Sequence, residues 1–126
     1  MYEQIQVLDA GDSCPSLPLV DGEGSARAVV WPGVGAKHRS LHLFELPVGG
    51  RTVEMKHPIE AVYYVIAGTA LALDLADGAE QTATTGSMIF IEPGTPYVIS
   101  ADGDHARFVG GPCPPDPSLY PDGHGG

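Results

Sequence analysis

The sequence predicts an all-β fold, a single sandwich or barrel of the jelly-roll kind, and three observations carry that prediction. Glycine (17 residues) and proline (12 residues) are spread along the 126-residue chain and cut it into short apolar pieces. Those pieces are rich in β-branched, aromatic and aliphatic side chains, which suit a pleated, half-buried surface. No long stretch carries an apolar i, i+3, i+4, i+7 stripe without a Gly or Pro interruption, so no amphipathic helix is expected. Many short strands at regular spacing make a sandwich or barrel, and the jelly roll is the double-sheet version that limits exposed edges.

Strands are expected at 4–8, 26–31, 40–46, 52–57, 62–66, 70–75, 88–91, 97–100 and 106–109. Turn residues separate most of them: Pro32-Gly33, residues 47–50, Asp77-Gly78, Pro93-Gly94 and Asp102-Gly103. The barrel is assigned to residues 1–110. Residues 111–126 form a Pro/Gly-rich C-terminal tail, expected to drape over the barrel or to disorder at its tip, because such a composition does not build a packed strand or helix on its own. His124, between glycines in that tail, is read as part of a frayed end.

The length fits one domain with a genuine core. Six Lys plus Arg stand against 16 Asp plus Glu, a formal charge of -10. That balance opposes the electrostatics of nucleic-acid binding and of attachment to anionic membranes, so neither partner is expected. The chain holds no apolar run of membrane-spanning length and its start lacks a secretory signal pattern, so a cytoplasmic location is the default. Cys14 and Cys113 lie far apart, form no CxxC or Cys/His cluster, and are read as reduced thiols beside loops. Cys113 has no base placed near it by sequence, which argues against a nucleophile.

Two segments carry more. Residues 49–68 read GGRTVEMKHPIEAVYYVIAG and residues 86–97 read GSMIFIEPGTPY. They resemble the two cupin motifs, G-x5-H-x-H-x3-E-x6-G and G-x5-P-x-G-x2-H. Aligned without gaps, Gly49, His57, Gly68, Gly86 and Gly94 match, while Met55, Ala61 and Tyr97 stand where a His, the Glu and the final His usually hold a metal. The resemblance implies a single cupin jelly-roll β-barrel, often a homodimer, with an open mouth and a small-molecule pocket inside. It does not deliver a function, because the superfamily hosts oxygenases, isomerases, epimerases, decarboxylases, lyases and sensory domains.

Side chains alternate faces along a strand. If His57 points into the barrel, Val53 and Met55 follow, and Glu54 and Lys56 point out. On the next strand Ala61, Tyr63 and Val65 share the inward face, and Tyr97 completes the lining from the second motif. Catalytic metal sites usually need about three protein ligands, and His57 alone is too few. If a divalent transition metal is bound, the candidates are His57, Glu60, His42 and Tyr97. Glu60, one residue before the place of the usual Glu, would need a β-bulge to turn inward. His38 and His42 have i, i+4 spacing but lie at a strand start without an HExxH motif, and His38 is expected to be exposed. His105 is read as a turn residue kept charged by neighbouring Asp side chains.

Without a metal, the chemistry open to such a pocket is proton transfer. An unperturbed His titrates near ~6.5, whereas a Tyr at ~10 would have to fall by about 3, worth about 4 kcal/mol, to act as a base at neutrality. His57 is therefore the candidate base and Tyr97 or Tyr63 the neutral acid or oxyanion donor. Met55, Ala61, His42 and Trp31 are the expected substrate-binding residues, Trp31 having packing at a strand end as its rival role. A His with a Tyr is also what the resemblance implies for metal-free cupins acting on nucleotide-linked sugars, although six basic residues suit a neutral or weakly charged substrate better. Three readings follow. The first is a metal-independent acid–base enzyme (isomerase, cyclase, epimerase or lyase) acting on a small organic molecule without a cofactor. The others are a non-catalytic ligand-binding or sensory cupin and a metal-dependent oxygenase or hydrolase with an atypical centre.

Overall fold

The computed structural model describes residues 5–120. Its strands are β1 (Val20–Asp21), β2 (Ser25–Val30), β3 (Leu41–Leu46), β4 (Arg51–Thr52), β5 (Ala61–Asp74), β6 (Glu80–Thr84), β7 (Met88–Ile91) and β8 (Tyr97–Pro112), with short 3-10 turns at Pro32–Val34 and Pro117–Leu119. All pair antiparallel in one sheet that curls into a nearly closed jelly-roll barrel. The spine is the β5/β8 ladder, which runs from Ala61 opposite Pro112 to Asp74 opposite Tyr97. β6 and β7 follow one another along the other side of β5, while β8 continues through β3 to β2 and through β4 to β1. Among the described residues no helix is long and apolar enough to cross a membrane.

Several boundaries differ from the sequence expectation, and the strand expected at 52–57 is reduced to β4 and an isolated bridge at Met55. The pieces 62–66 and 70–75 are one strand, as are 97–100 and 106–109. The Asp102-Gly103 turn signal does not end a strand: residues 102–105 bulge out of β8 while the ladder resumes at Ala106 opposite Gly68. An antiparallel pair absorbs extra residues on one strand by such a bulge, which sharpens its bend. β6 was not expected, because Glu-Gln-Thr-Ala-Thr carries one apolar side chain, Ala83, and that is the one it buries. Of the strand expected at 4–8, Gln4 lies outside the described residues, and Ile5 to Leu8 form no strand.

Gly68 has a specific reason. Its φ is +78°, and a Cβ there would collide with the His105 carbonyl where the bulge crosses β5. Gly68→Ala is expected to lower the unfolding free energy by about 3 kcal/mol, since backbone strain and a collision with rigid main chain add. Gly78 has the same backbone sign, φ +79°, with open space around it, so Gly78→Ala isolates the strain alone at about 1 kcal/mol. Equal losses for the two variants in urea titrations would remove the collision from the account.

The core fills the barrel from alternating positions. Phe44 and Phe108 stack with centroids 4.8 Å apart, and Tyr63 stands edge-on to both at 5.8 and 5.7 Å. Edge-to-face and offset contacts suit the ring quadrupoles. Val65, Ile99, Leu46 and the small side chains of Ala26, Ala28, Ala70 and Ala106 complete the packing. Thr52 is fully buried, and its hydroxyl accepts from the Ile99 amide at 3.1 Å.

Candidate active site

The chain leaving β4 stays extended, and Met55 pairs with Tyr97 through two main-chain bonds, Met55 N to Tyr97 O at 2.9 Å and Tyr97 N to Met55 O at 2.8 Å. Period-two alternation then aims Met55 and His57 inward and leaves Glu54 and Lys56 exposed. β5 adds Ala61, Tyr63 and Val65 to the interior, and β8 begins with Tyr97. His57, Tyr63 and Tyr97 are thus brought together, each at most 3% exposed.

A fourth member comes from the segment read from sequence as a peripheral tail. β8 continues to Pro112, and beyond it Asp116 and Tyr120 are buried in the barrel end. Asp116 caps the 3-10 turn: its Oδ1 accepts from the Ser118 amide at 3.0 Å and the Ser118 hydroxyl at 2.8 Å. Its Oδ2 lies 2.8 Å from His57 Nδ1. On the other side of the imidazole, Nε2 lies 2.8 Å from the Tyr97 hydroxyl, which lies 2.6 Å from the Tyr63 hydroxyl and 3.9 Å from Met55 Sδ. The result is a continuous chain, Asp116–His57–Tyr97–Tyr63.

Burial first, then the neighbouring Tyr63, pushes the Tyr97 phenol far above the ordinary tyrosine range. Burial also raises Tyr63, partly countered by its bond to Tyr97. Both are therefore phenols, not phenolates, at neutral pH. Burial raises the Asp116 carboxyl, but the hydrogen bonds from His57 and Ser118 outweigh it and hold the group below the usual carboxylate range. Asp116 is an ionised acceptor at neutral pH.

His42 sits in a second polar group. It is fully buried, with Nε2 2.8 Å from the Tyr120 hydroxyl and no hydrogen-bond partner for Nδ1. Burial, reinforced by the nearness of the His57 imidazole, pushes its pKa down to about 4. Tyr120 is pushed up to about 12, mainly by burial. Its ring lies 5.3 Å from that of Trp31, whose indole is covered so closely by Gly33 that a Cβ there would collide with it.

A pocket of about 450 Å³ opens beside β6 and β7. Its wall includes Ala72, Ala83, Ile89, Ile91, Thr95 and Tyr97, with Asp74, Asp77 and Glu92 also lining it and no Lys, Arg or His. Of the residues expected at the site, Tyr97 lines this pocket, while Met55, Ala61, His42 and Trp31 are buried. Glu60 is exposed, contributing its carbonyl to the Cys113 amide, with no bulge to turn it inward. His38 is exposed as expected, and His105 is exposed with Nδ1 3.0 Å from Asp104 Oδ1. Cys14 and Cys113 are half-buried and unpaired.

The donor set does not fit the metal centre usual in cupins. Ala61 supplies no ligand, Glu60 points away, and both His57 nitrogens are engaged by Asp116 and Tyr97. Among the described residues no three His, Cys, Asp or Glu side chains converge as a metal-holding group.

A nearly closed jelly roll with the two glycine-bounded motifs and an inward His defines a single-barrel cupin. The cupin domain family model matches residues 42–109, more than half of the chain, and the protein belongs to that family. Solved structures agree on the fold. The polyketide cyclase RemF from Streptomyces resistomycificus is similar at 24% identity, with a TM-score of 0.67 over 91% of this chain and 83% of that one. A cupin-like protein from Thermotoga maritima is similar at 18% identity, with a TM-score of 0.71 over 86% and 80%. An RmlC-like cupin from Shewanella frigidimarina is similar at 13% identity, with a TM-score of 0.71 over 94% and 100%. No curated protein matches the chain in sequence.

Proposed function

We propose that this cupin binds a small, enolisable organic molecule in the pocket beside β6 and β7 and moves a proton on it without a metal, in an isomerisation or ring closure. One observation carries the reading: Tyr97 belongs both to the pocket wall and to the buried chain that ends on Asp116. The roles expected from sequence change accordingly. His57 does not line the pocket, so Tyr97 is the group that meets the substrate and His57 the proton acceptor behind it.

A free tyrosine is too weak a base at neutrality, and burial makes the bare phenolate still less accessible. A relay avoids the phenolate. As the Tyr97 oxygen takes a proton from a substrate carbon, its own proton passes to His57 Nε2, and the ionised Asp116 stabilises the imidazolium. The electron pair of the broken C–H bond moves into the substrate as an enolate. Reversal returns the proton to a different substrate atom, or the enolate carbon attacks a second carbonyl to close a ring and the proton goes to the new alkoxide. Atoms and charge balance without any oxidant. The absence of basic residues around the pocket suits a neutral substrate, and a polyketide cyclase on a similar fold supports the ring-closing version.

The test is solvent-deuterium exchange into a panel of cyclic and linear 1,3-diketones, followed by NMR. The wild-type chain is expected to accelerate exchange on at least one member, and Tyr97→Phe, which keeps the ring and removes the hydroxyl, to lose about 10²- to 10⁴-fold. Saturable binding of a diketone with no exchange would make the protein a binding cupin. Undiminished exchange in Tyr97→Phe would remove Tyr97 from the mechanism.

A further inference from the structure

We infer that Asp116, a residue outside both cupin motifs, is a positioning residue that sets the direction of the proton relay; the inference rests on the reading of Tyr97 and His57 as that relay. An ionised carboxylate only accepts hydrogen bonds, so the 2.8 Å contact from Asp116 Oδ2 requires a proton on His57 Nδ1. In a neutral imidazole Nε2 is then an acceptor, so the Tyr97 O–H donates to it. The Tyr97 proton being committed, its oxygen accepts from Tyr63 across 2.6 Å. One carboxylate thus orders three hydrogen bonds so that His57 is ready to receive a proton from Tyr97. With the opposite tautomer Nε2 would carry the proton and have no room for another, and the relay would face the wrong way.

The carboxylate is itself fixed. Its side chain is 7% exposed, and Oδ1 is committed to two donors of Ser118, so Oδ2 is the oxygen left for the imidazole. This makes the consequence of an isosteric change definite. In Asp116→Asn the side-chain oxygen remains with the Ser118 donors, and the amide NH₂ faces His57 Nδ1. Nδ1 must then accept, Nε2 takes the proton and donates to Tyr97, and every bond in the chain reverses. Loss of the correct tautomer with retained geometry is a known route to a large loss of activity in other His–Asp pairs.

The experiment reads the tautomer directly, without substrate, by ¹⁵N-detected NMR of His57 in the full chain at pH 7. The expected wild-type result is a neutral ring protonated at Nδ1, and in Asp116→Asn the two nitrogen resonances exchange character. A wild-type ring protonated at Nε2, or doubly protonated, overturns the inference, as does an Asp116→Asn chain that keeps Nδ1–H. The wild-type spectrum decides alone if the variant does not fold. Where a diketone is turned over, Asp116→Asn is also expected to lower kcat about 10²- to 10⁴-fold with little change in KM. The tautomer result stands whether or not exchange is seen, so failure of the inference and failure of the proposed function are told apart.

Discussion

Phe108→Ala is expected to lower the unfolding free energy by about 3–5 kcal/mol, a large part of the roughly 5–15 kcal/mol that holds a domain of this size together. Phe108 is fully buried, stacks on Phe44 and forms one of the two aromatic walls against which Tyr63 stands edge-on. Truncation removes the transfer free energy of the ring and leaves a cavity that a closed barrel, ringed by strands, collapses poorly around. The effect also reaches the site. Tyr63 is held with its hydroxyl 2.6 Å from that of Tyr97 by its edge-on contacts with Phe44 and Phe108, and loss of one of these frees it to tilt. Chemical denaturation should show the stability loss, and any exchange activity should fall although every relay residue is intact. Phe108→Leu should lose less than half as much stability; similar losses in both variants would show that the aromatic contact, not volume, dominates.

Acid is the second large lever, and its sign is fixed by His42. The buried imidazole holds a pKa of about 4 against 6.5 in a free chain, so below 6.5 the unfolded chain takes up a proton that the folded one refuses. The stability this protects is complete above about pH 6.5, falls as the pH drops, and is gone near pH 4; a lowering of this size corresponds to about 3 kcal/mol. Asp116 continues the trend. Its lowered carboxyl stays ionised in the folded chain while the unfolded chain protonates near the ordinary carboxylate pKa, so its contribution starts to fall there and is gone once the pH passes the lowered folded value. Urea titrations between pH 7 and 4.5 should therefore show a steep decline in the wild type and a much flatter one in His42→Gln, which retains a hydrogen-bonding side chain for Tyr120 and no titrating group. Parallel curves for the two chains would shift the acid sensitivity elsewhere.

Much of the barrel was legible in the sequence because it rests on local rules. Alternation along a strand placed Met55, His57, Ala61, Tyr63 and Val65 on the inner face, and the glycine-bounded motifs placed Tyr97 beside them. Turn chemistry misled where turn residues were absorbed into long strands, as at Asp102-Gly103, since a ladder on both flanks outweighs a local preference. The strand β6, which lines the pocket, was missed because its polar sequence hides it. Asp116 and Tyr120 were missed for a different reason. They lie 59 and 78 residues from His57 and His42 in a stretch with no apolar period, and only the barrel closure brings them in. One local signal was present: Asp116-Pro117-Ser118 reads as a helix cap followed by proline at the first helical position, which marks an ordered turn rather than a loose end.

The four members of the relay come from four stretches of chain: the one after β4, then β5, the start of β8, and the turn beyond β8. No two of the four are sequence neighbours, so each contact between them closes a loop whose entropy is repaid only when the barrel around it is complete. The site therefore has no partial form that a fragment or a frayed barrel retains. In a denaturant titration the signal from the His57 tautomer and the signal from the barrel's aromatic core should vanish together, as a single cooperative unit.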